Sequence, residues 1–193
     1  MGRKRFILVA LAGLACFAAL ALRKRGNRAI EGGWPVNLAH RGASALAPEN
    51  TLEAFRMAVE AGAGGLELDV HLTRDGHVVV IHDETVERTT NGTGSVSGMN
   101  LAELRGFDAG YRFSPDGGRT RPYGGRGLRV PTLAEVLQEF PGVAVNIDMK
   151  AVRPGIEAAV LEVLREAGAE GRALVVSSKH GAVRRFRRIS GGR

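Results

Sequence analysis

Four short strings in this 193-residue chain bring histidine, carboxylate and fixed positive charge together at spacings that could do chemistry. The first is Asn37-Leu38-Ala39-His40-Arg41-Gly42, an apolar run ending in a titratable base, a permanent cation and a glycine. It reads as a strand that delivers His40 and Arg41 to a loop, where Gly42 lets the backbone turn. The second is Glu67-Leu68-Asp69 within the run 65–70. Residues two apart on a strand share a face, so the two carboxylates project together while Leu66, Leu68 and Val70 face the other way. Side by side they repel unless a cation lies between them, and hard divalent ions such as Mg²⁺ and Ca²⁺ prefer such oxygen donors. A solvated polar face on an edge strand is the competing reading. The third is Val78-Val79-Val80-Ile81-His82-Asp83, a buried-strand pattern with His82 where the strand emerges. By itself, a histidine in that place is more often structural than catalytic. The fourth is Asn146-Ile147-Asp148-Met149-Lys150, whose alternation puts Asn146, Asp148 and Lys150 on one face. Its competing reading is a same-face salt bridge between Asp148 and Lys150, worth little if exposed.

The longer string His40-Arg41-Gly42-Ala43-Ser44, followed by Pro48-Glu49-Asn50-Thr51, is far more specific than its parts. It resembles the opening of the glycerophosphodiester phosphodiesterase family, and the other three strings fall where that family carries its motifs. The resemblance implies that His40 and His82 are the catalytic histidines and that Glu67 and Asp69 ligate a divalent metal, Mg²⁺ or Ca²⁺. The family usually has Glu-x-Lys at the fourth position, its carboxylate the third metal ligand and its lysine near the phosphate. Here the corresponding residues are Asp148 and Lys150, and aspartate, one methylene shorter, still ligates. Arg41 is expected to bind a phosphate oxygen. His71 and His77 match no catalytic position and read as surface or strand-end residues. The implied reaction is metal-dependent hydrolysis of a glycerophosphodiester to glycerol 3-phosphate and an alcohol such as choline or ethanolamine. The alternatives are lysophospholipase D-type activity on membrane lysophospholipids and an inactive remnant.

These residues need elements to position them. The pattern predicts strand 36–40, helix 51–62 with Leu52, Phe55 and Val59 on its apolar side, strand 65–70, a turn at Thr73-Arg74-Asp75-Gly76 and strand 77–82. Helix 131–140 follows, opened by Pro131 and Thr132, then strand 143–149, a helix near 154–167, a strand near 173–177 and a helical start at 184–189. Strands alternating with helices argue for a parallel sheet, and site residues at strand C-termini are where a (β/α) barrel builds its active site. The resemblance implies that TIM-barrel fold. Residues 83–130 interrupt the alternation with turn-rich sequence and read as an insertion over the substrate cleft. Phe107, Tyr111 and Phe113 would anchor it or form a small local core. A full barrel takes roughly 250 residues. Residues 31–193 supply 163 and about five of eight strands, so the reading is an incomplete barrel with weak or absent activity.

Residues 6–22 form 17 uncharged, almost wholly apolar positions, flanked by Arg3, Lys4 and Arg5 before and Arg23, Lys24, Arg25 and Arg28 after. That is the short limit for a spanning helix, and an uncleaved N-terminal membrane anchor over 1–30 is expected, with anionic lipid head groups as partners. The net charge of +7 arises wholly from residues 1–30, which hold seven basic residues and no acid. Residues 31–178 carry fourteen basic and twenty acidic residues, so the high isoelectric point does not point to a nucleic-acid partner. The single cysteine, Cys16, lies in the apolar run, which excludes a disulfide within the chain and any cysteine-based metal site.

Overall fold

The computed structural model of the chain describes residues 37–150 and 153–192. The apolar segment 6–22, and with it the expected membrane helix, lies outside the described residues. No helix among the described residues is long and apolar enough to cross a membrane. The elements run in the order β1 (Leu38–His40), α1 (Leu52–Glu60), β2 (Gly65–Leu72), β3 (Val78–Val80), α2 (Leu101–Leu104), α3 (Leu133–Glu139), β4 (Ala144–Met149), α4 (Ile156–Glu166), β5 (Ala173–Val176) and α5 (His180–Ile189).

Two of the helices packed on the sheet start with a side-chain cap. Thr51 caps α1 by accepting the amide of Ala54, and the helix stops at Gly62, whose φ of 85° costs a glycine little. Thr132 opens α3 through a reciprocal capping box with Glu135. A second capping box, Asn100 with Glu103, starts α2 inside the expected loop, so the segment 83–130 is more ordered than its turn-rich sequence predicts.

The sheet has the order β1-β2-β4-β5, and these four strands are all parallel. β2 is central: residues 65–70 pair with residues 144–149 of β4, and residues 65–67 pair with β1. Leu66, Leu68, Val70, Val145, Ile147 and Met149 point to one face. There they pack with Phe55 of α1, Leu133, Val136 and Leu137 of α3, Ile156, Val160 and Leu164 of α4 and Phe186 of α5. Burying each such Leu or Phe side chain contributes roughly 1.5–3 kcal/mol, and this one layer of helices on sheet is the main core. The opposite face carries Glu67, Asp69, His71, Asn146 and Asp148. Leu38 and Leu174 lie on it as well, 40% and 62% exposed.

One expected element differs in kind. β3 pairs antiparallel with the end of β2, Val70 opposite Val80 and Leu72 opposite Val78. The five residues between the strands make a hairpin turn at Gly76, φ 88°, and are far too few for the crossover a parallel pair requires. The described sheet therefore has five strands, of which four are barrel-type parallel strands. β3 also separates two cores. Val78 and Val80 join the main one, whereas Val79 and Ile81 face a second cluster with Val86, Val96, Leu104, Ala109 and Val130. That second cluster holds the insertion. Phe107 packs against it, Phe113 stacks edge-on against Tyr123, and Tyr111 stays exposed between Arg112 and Arg121.

Gly42 is where β1 meets the helical layer. Its φ is 81°, and a Cβ there would lie 2.7 Å from the carbonyl carbon and 2.8 Å from the Cβ of Ala54. Both objections act together in Gly42→Ala, which should lower unfolding free energy by about 2 kcal/mol or more in urea titrations. A loss within a few tenths of a kcal/mol would show that the turn relaxes freely.

Candidate active site

The strand ends converge on a buried carboxylate. Asp69 has no solvent exposure, and three side chains address it, two from the β1–α1 connection and one from the end of β4. Asn50 donates its side-chain amide to Oδ2 at 2.9 Å, Arg41 brings Nε to 3.2 Å from Oδ2, and Lys150 brings Nζ to 3.0 Å from Oδ1. Lys150 also donates to Asp148 Oδ2 at 2.7 Å, so one ammonium bridges two carboxylates of neighbouring strands. The register sets this up, because Asp69 and Asp148 are direct partners in the β2–β4 pair. Burial acts to lower the Lys150 pKa, but its bonds to Asp148 and Asp69 outweigh burial and leave it above its usual value.

Two residues reach their places through a strained backbone. Arg41 and Asn50 both have positive φ, 58° and 57°. The Arg41 conformation is held by its amide, which donates to the Glu67 carbonyl at 3.0 Å, and by its own carbonyl, which accepts from the Asn50 amide at 3.0 Å. Such conformations are uncommon in non-glycine residues and collect at functional sites.

Glu67 sits beside this group. Its Oε2 accepts from the Arg41 amide at 3.1 Å and lies 3.9 Å from His40 Nε2. Burial first, and the neighbouring Asp69 charge second, push its carboxyl above the ordinary range. His40 stands at the rim with its side chain 68% exposed.

His82 follows β3 and so does not end a parallel strand; the hairpin carries it back along β2. Ile81 donates its amide to the Asp69 carbonyl, and the His82 carbonyl lies 2.9 Å from His71 Nε2. His71 is thus not a surface residue. It is 3% exposed near the end of β2, and burial holds its pKa below the usual histidine value. His77, by contrast, is exposed beside Asp75, as expected. The His82 ring places Nδ1 2.6 Å from Asp83 Oδ1. Arg88, six residues on, grips Asp83 through Nε at 2.6 Å and Glu49 through Nη1 and Nη2 at 2.8 Å each. Glu49 in turn accepts from Arg41 Nη1 at 3.0 Å.

The expected metal ligands are brought near one another but not closed into a cluster: among the described residues no three His, Cys, Asp or Glu side chains form a group able to hold an ion. Glu67 is turned toward Arg41 and His40, while Asp69 and Asp148 share Lys150. The Asp148–Lys150 pair is thus the same-face salt bridge that the alternation allowed. The donor set nevertheless fits a hard cation. Asp148 Oδ1 and Asn146 Oδ1 are buried without a hydrogen bond, so oxygen lone pairs are left over on the face that carries Asp69. Arg41 Nε, similarly without a hydrogen bond, and Asp69 Oδ1 meet their charged neighbours at ion-pair distance only.

Residues 40–185 match the glycerophosphoryl diester phosphodiesterase family. The chain belongs to this family. A glycerophosphodiester phosphodiesterase of Caldanaerobacter subterraneus subsp. tengcongensis is 42% identical over 158 residues, covering 79% of this chain and 62% of that protein. The glycerophosphoryl diester phosphodiesterase domain of a Mycobacterium tuberculosis protein superposes with a TM-score of 0.77 at 30% identity, covering 82% of this chain and 58% of that one. A phosphodiesterase of Oleispira antarctica, solved with its product sn-glycerol-3-phosphate, gives 0.70 at 33% identity, covering 80% and 62%. The fold is thus the family's TIM-barrel-like α/β fold, and the chain spans about 60% of the length of these relatives.

Four residues of the network had no assigned role in the sequence reading. Glu49 and Asn50 lay inside a quoted motif. Their spacing from Arg41 along the chain, eight and nine residues, gives no sign that they fold back onto it. Arg88 is one arginine in a loop, and His71 lacked a motif.

The acid response of the site follows from Asp83. Arg88 first, then the bond to His82, hold its carboxyl down to about 2 against an ordinary 3.8. A depressed folded-state pKa stabilises above the unfolded value and is lost as pH falls through the folded one. Stability should therefore decline between about pH 4 and pH 2 more steeply in the wild type than in Asp83→Asn. Equal slopes in denaturant midpoints over that range would show that Asp83 makes no such contribution.

Proposed function

We propose that this protein hydrolyses glycerophosphodiesters, giving sn-glycerol 3-phosphate and an alcohol. The observation that carries the reading is the convergence of Arg41, Glu67, Asp69, Asp148 and Lys150 on one polar face of the sheet, with His40 and His82 beside it. Membership of the family supports it, as does the glycerol phosphate product held by the Oleispira antarctica relative.

The chain's own groups divide the work. The phosphodiester is an anion and repels nucleophiles. Arg41 opposes that charge. Its Nε and Nη1 are engaged by Asp69 and Glu49, which leaves Nη2 as the guanidinium donor for a phosphate oxygen. Lys150 adds a second cation, fixed by two carboxylates. Two histidines suit the two proton transfers of the reaction: one removes a proton from the attacking water, and the other protonates the departing alcohol. Glu67, Asp69 and Asp148 are the residues that would hold Mg²⁺ or Ca²⁺, which when bound supplies neutralisation of phosphate charge and orientation of the attacking oxygen. We assign the protein to a membrane surface from the apolar segment 6–22 and its basic flanks. That segment favours lysophospholipids as a second substrate class, cleaved by the same chemistry.

Purified protein given glycerophosphocholine or lysophosphatidylcholine separates the substrate classes by the product released. Dialysis against a chelator should abolish hydrolysis, and Mg²⁺ or Ca²⁺ should restore it. Undiminished rates in chelator would remove the metal from the scheme. His40→Ala and His82→Ala should each lower kcat by about 10²–10⁴-fold with unchanged circular dichroism. Near-normal turnover from either variant would take that histidine out of the mechanism.

A further inference from the structure

We propose that Arg88 is a positioning residue: through Asp83 and Glu49 it holds the His82 imidazole and the Arg41 guanidinium in one fixed arrangement. This inference rests on the roles given above to His82 and Arg41. The path is continuous. From the ring it runs His82 Nδ1 to Asp83 Oδ1 at 2.6 Å, then Asp83 Oδ2 to Arg88 Nε at 2.6 Å. From Arg88 it runs to both oxygens of Glu49 at 2.8 Å, and from Glu49 Oε1 to Arg41 Nη1 at 3.0 Å.

Geometry makes Arg88 hard to replace. It contacts both carboxylates with two nitrogens each, since Nη2 also reaches Asp83 Oδ1 at 3.2 Å. A planar guanidinium presents a fork of donors at fixed angles, whereas a lysine ammonium is a point charge that cannot satisfy two carboxylates in two such bonds apiece. Without Arg88, Asp83 and Glu49 become two anions at the site with nothing between them.

The consequence for His82 is a fixed proton position. Asp83, ionised throughout the neutral range, only accepts hydrogen bonds. The ring nitrogen facing it, Nδ1, must therefore carry the proton, and in the neutral ring Nε2 carries the lone pair. Arg88 keeps Asp83 in the place that imposes this choice. The anchors of the clamp lie at the edge of the insertion and beyond it. Glu49 belongs to the loop before α1, and Asp83 directly follows His82. Arg88 itself comes from the insertion, two residues before Thr90, whose buried hydroxyl donates to the Val86 carbonyl. The insertion thus does more than overlie the sheet: it supplies the link between the residue that handles a proton and the one that meets phosphate.

The test uses the full chain, ¹⁵N-labelled, as wild type, Arg88→Ala and Arg88→Lys. In the wild type the His82 ring should show a protonated Nδ1 with a downfield, exchange-protected proton. In Arg88→Ala that proton signal should be lost or tautomers mixed, with kcat for glycerophosphocholine down by about 10–100-fold, the scale of a misplaced catalytic group. Added guanidinium ion should recover much of the loss, and Arg88→Lys should recover little. A purely structural role would not respond to guanidinium or move the ring signals. Wild-type ring signals and wild-type kcat in a folded Arg88→Ala would overturn the proposal. If Arg88→Ala does not fold, Arg88→Lys decides by the same ring signals, wild-type values again overturning it. A wild-type chain that hydrolyses nothing would refute the proposed function, and the ring signals would still settle the clamp.

Discussion

A carboxylate without solvent contact at the middle of a sheet must be matched, because an unpaired buried charge costs several kcal/mol. Asp69 is that carboxylate, and much of the surrounding architecture is arranged to match it. Arg41 and Asn50 adopt positive φ to reach it, and Lys150 arrives from the adjacent strand. The turn after β1 must be tight enough to bring both, which is why Gly42 packs its bare Cα against Ala54. The path of the chain from His40 to Thr51 follows from the need to deliver two side chains to one buried anion.

The compensation is incomplete in a way that matters for chemistry. Several oxygens near Asp69 keep lone pairs unused, and Glu67 has its carboxyl pushed upward by burial beside a second acid. A site made only for stability would pair these groups or replace them with apolar side chains. Buried oxygens with unused lone pairs are the donor type that the proposed divalent ion would take.

The insertion has a small core of its own, completed by Val79 and Ile81 from the β3 segment. It is tied to the site through charge, by Arg88, and through the alternating faces of β3. This division lets one face of a single apolar strand support the sheet while the other supports the segment over it.

Much of this was legible in the sequence. The order of strands and helices, the shared face of Glu67 and Asp69 and the Thr132 start of α3 follow from local rules of period and capping, which involve only neighbouring residues. The glycerophosphodiester phosphodiesterase resemblance rested on contiguous motifs for the same reason. What the sequence could not determine depends on contacts between distant segments. The burial of His71 depends on what covers β2 from the other side. Asn146 and Asp148 are polar positions on any strand until the β2–β4 register puts Asp148 beside Asp69. Arg88 has no local signal, because its partners lie 39 and 5 residues away and only the folded chain makes them neighbours. Spacing along the chain determined which side chains share a face; tertiary structure decided which charges meet, because a charge finds its partner through space.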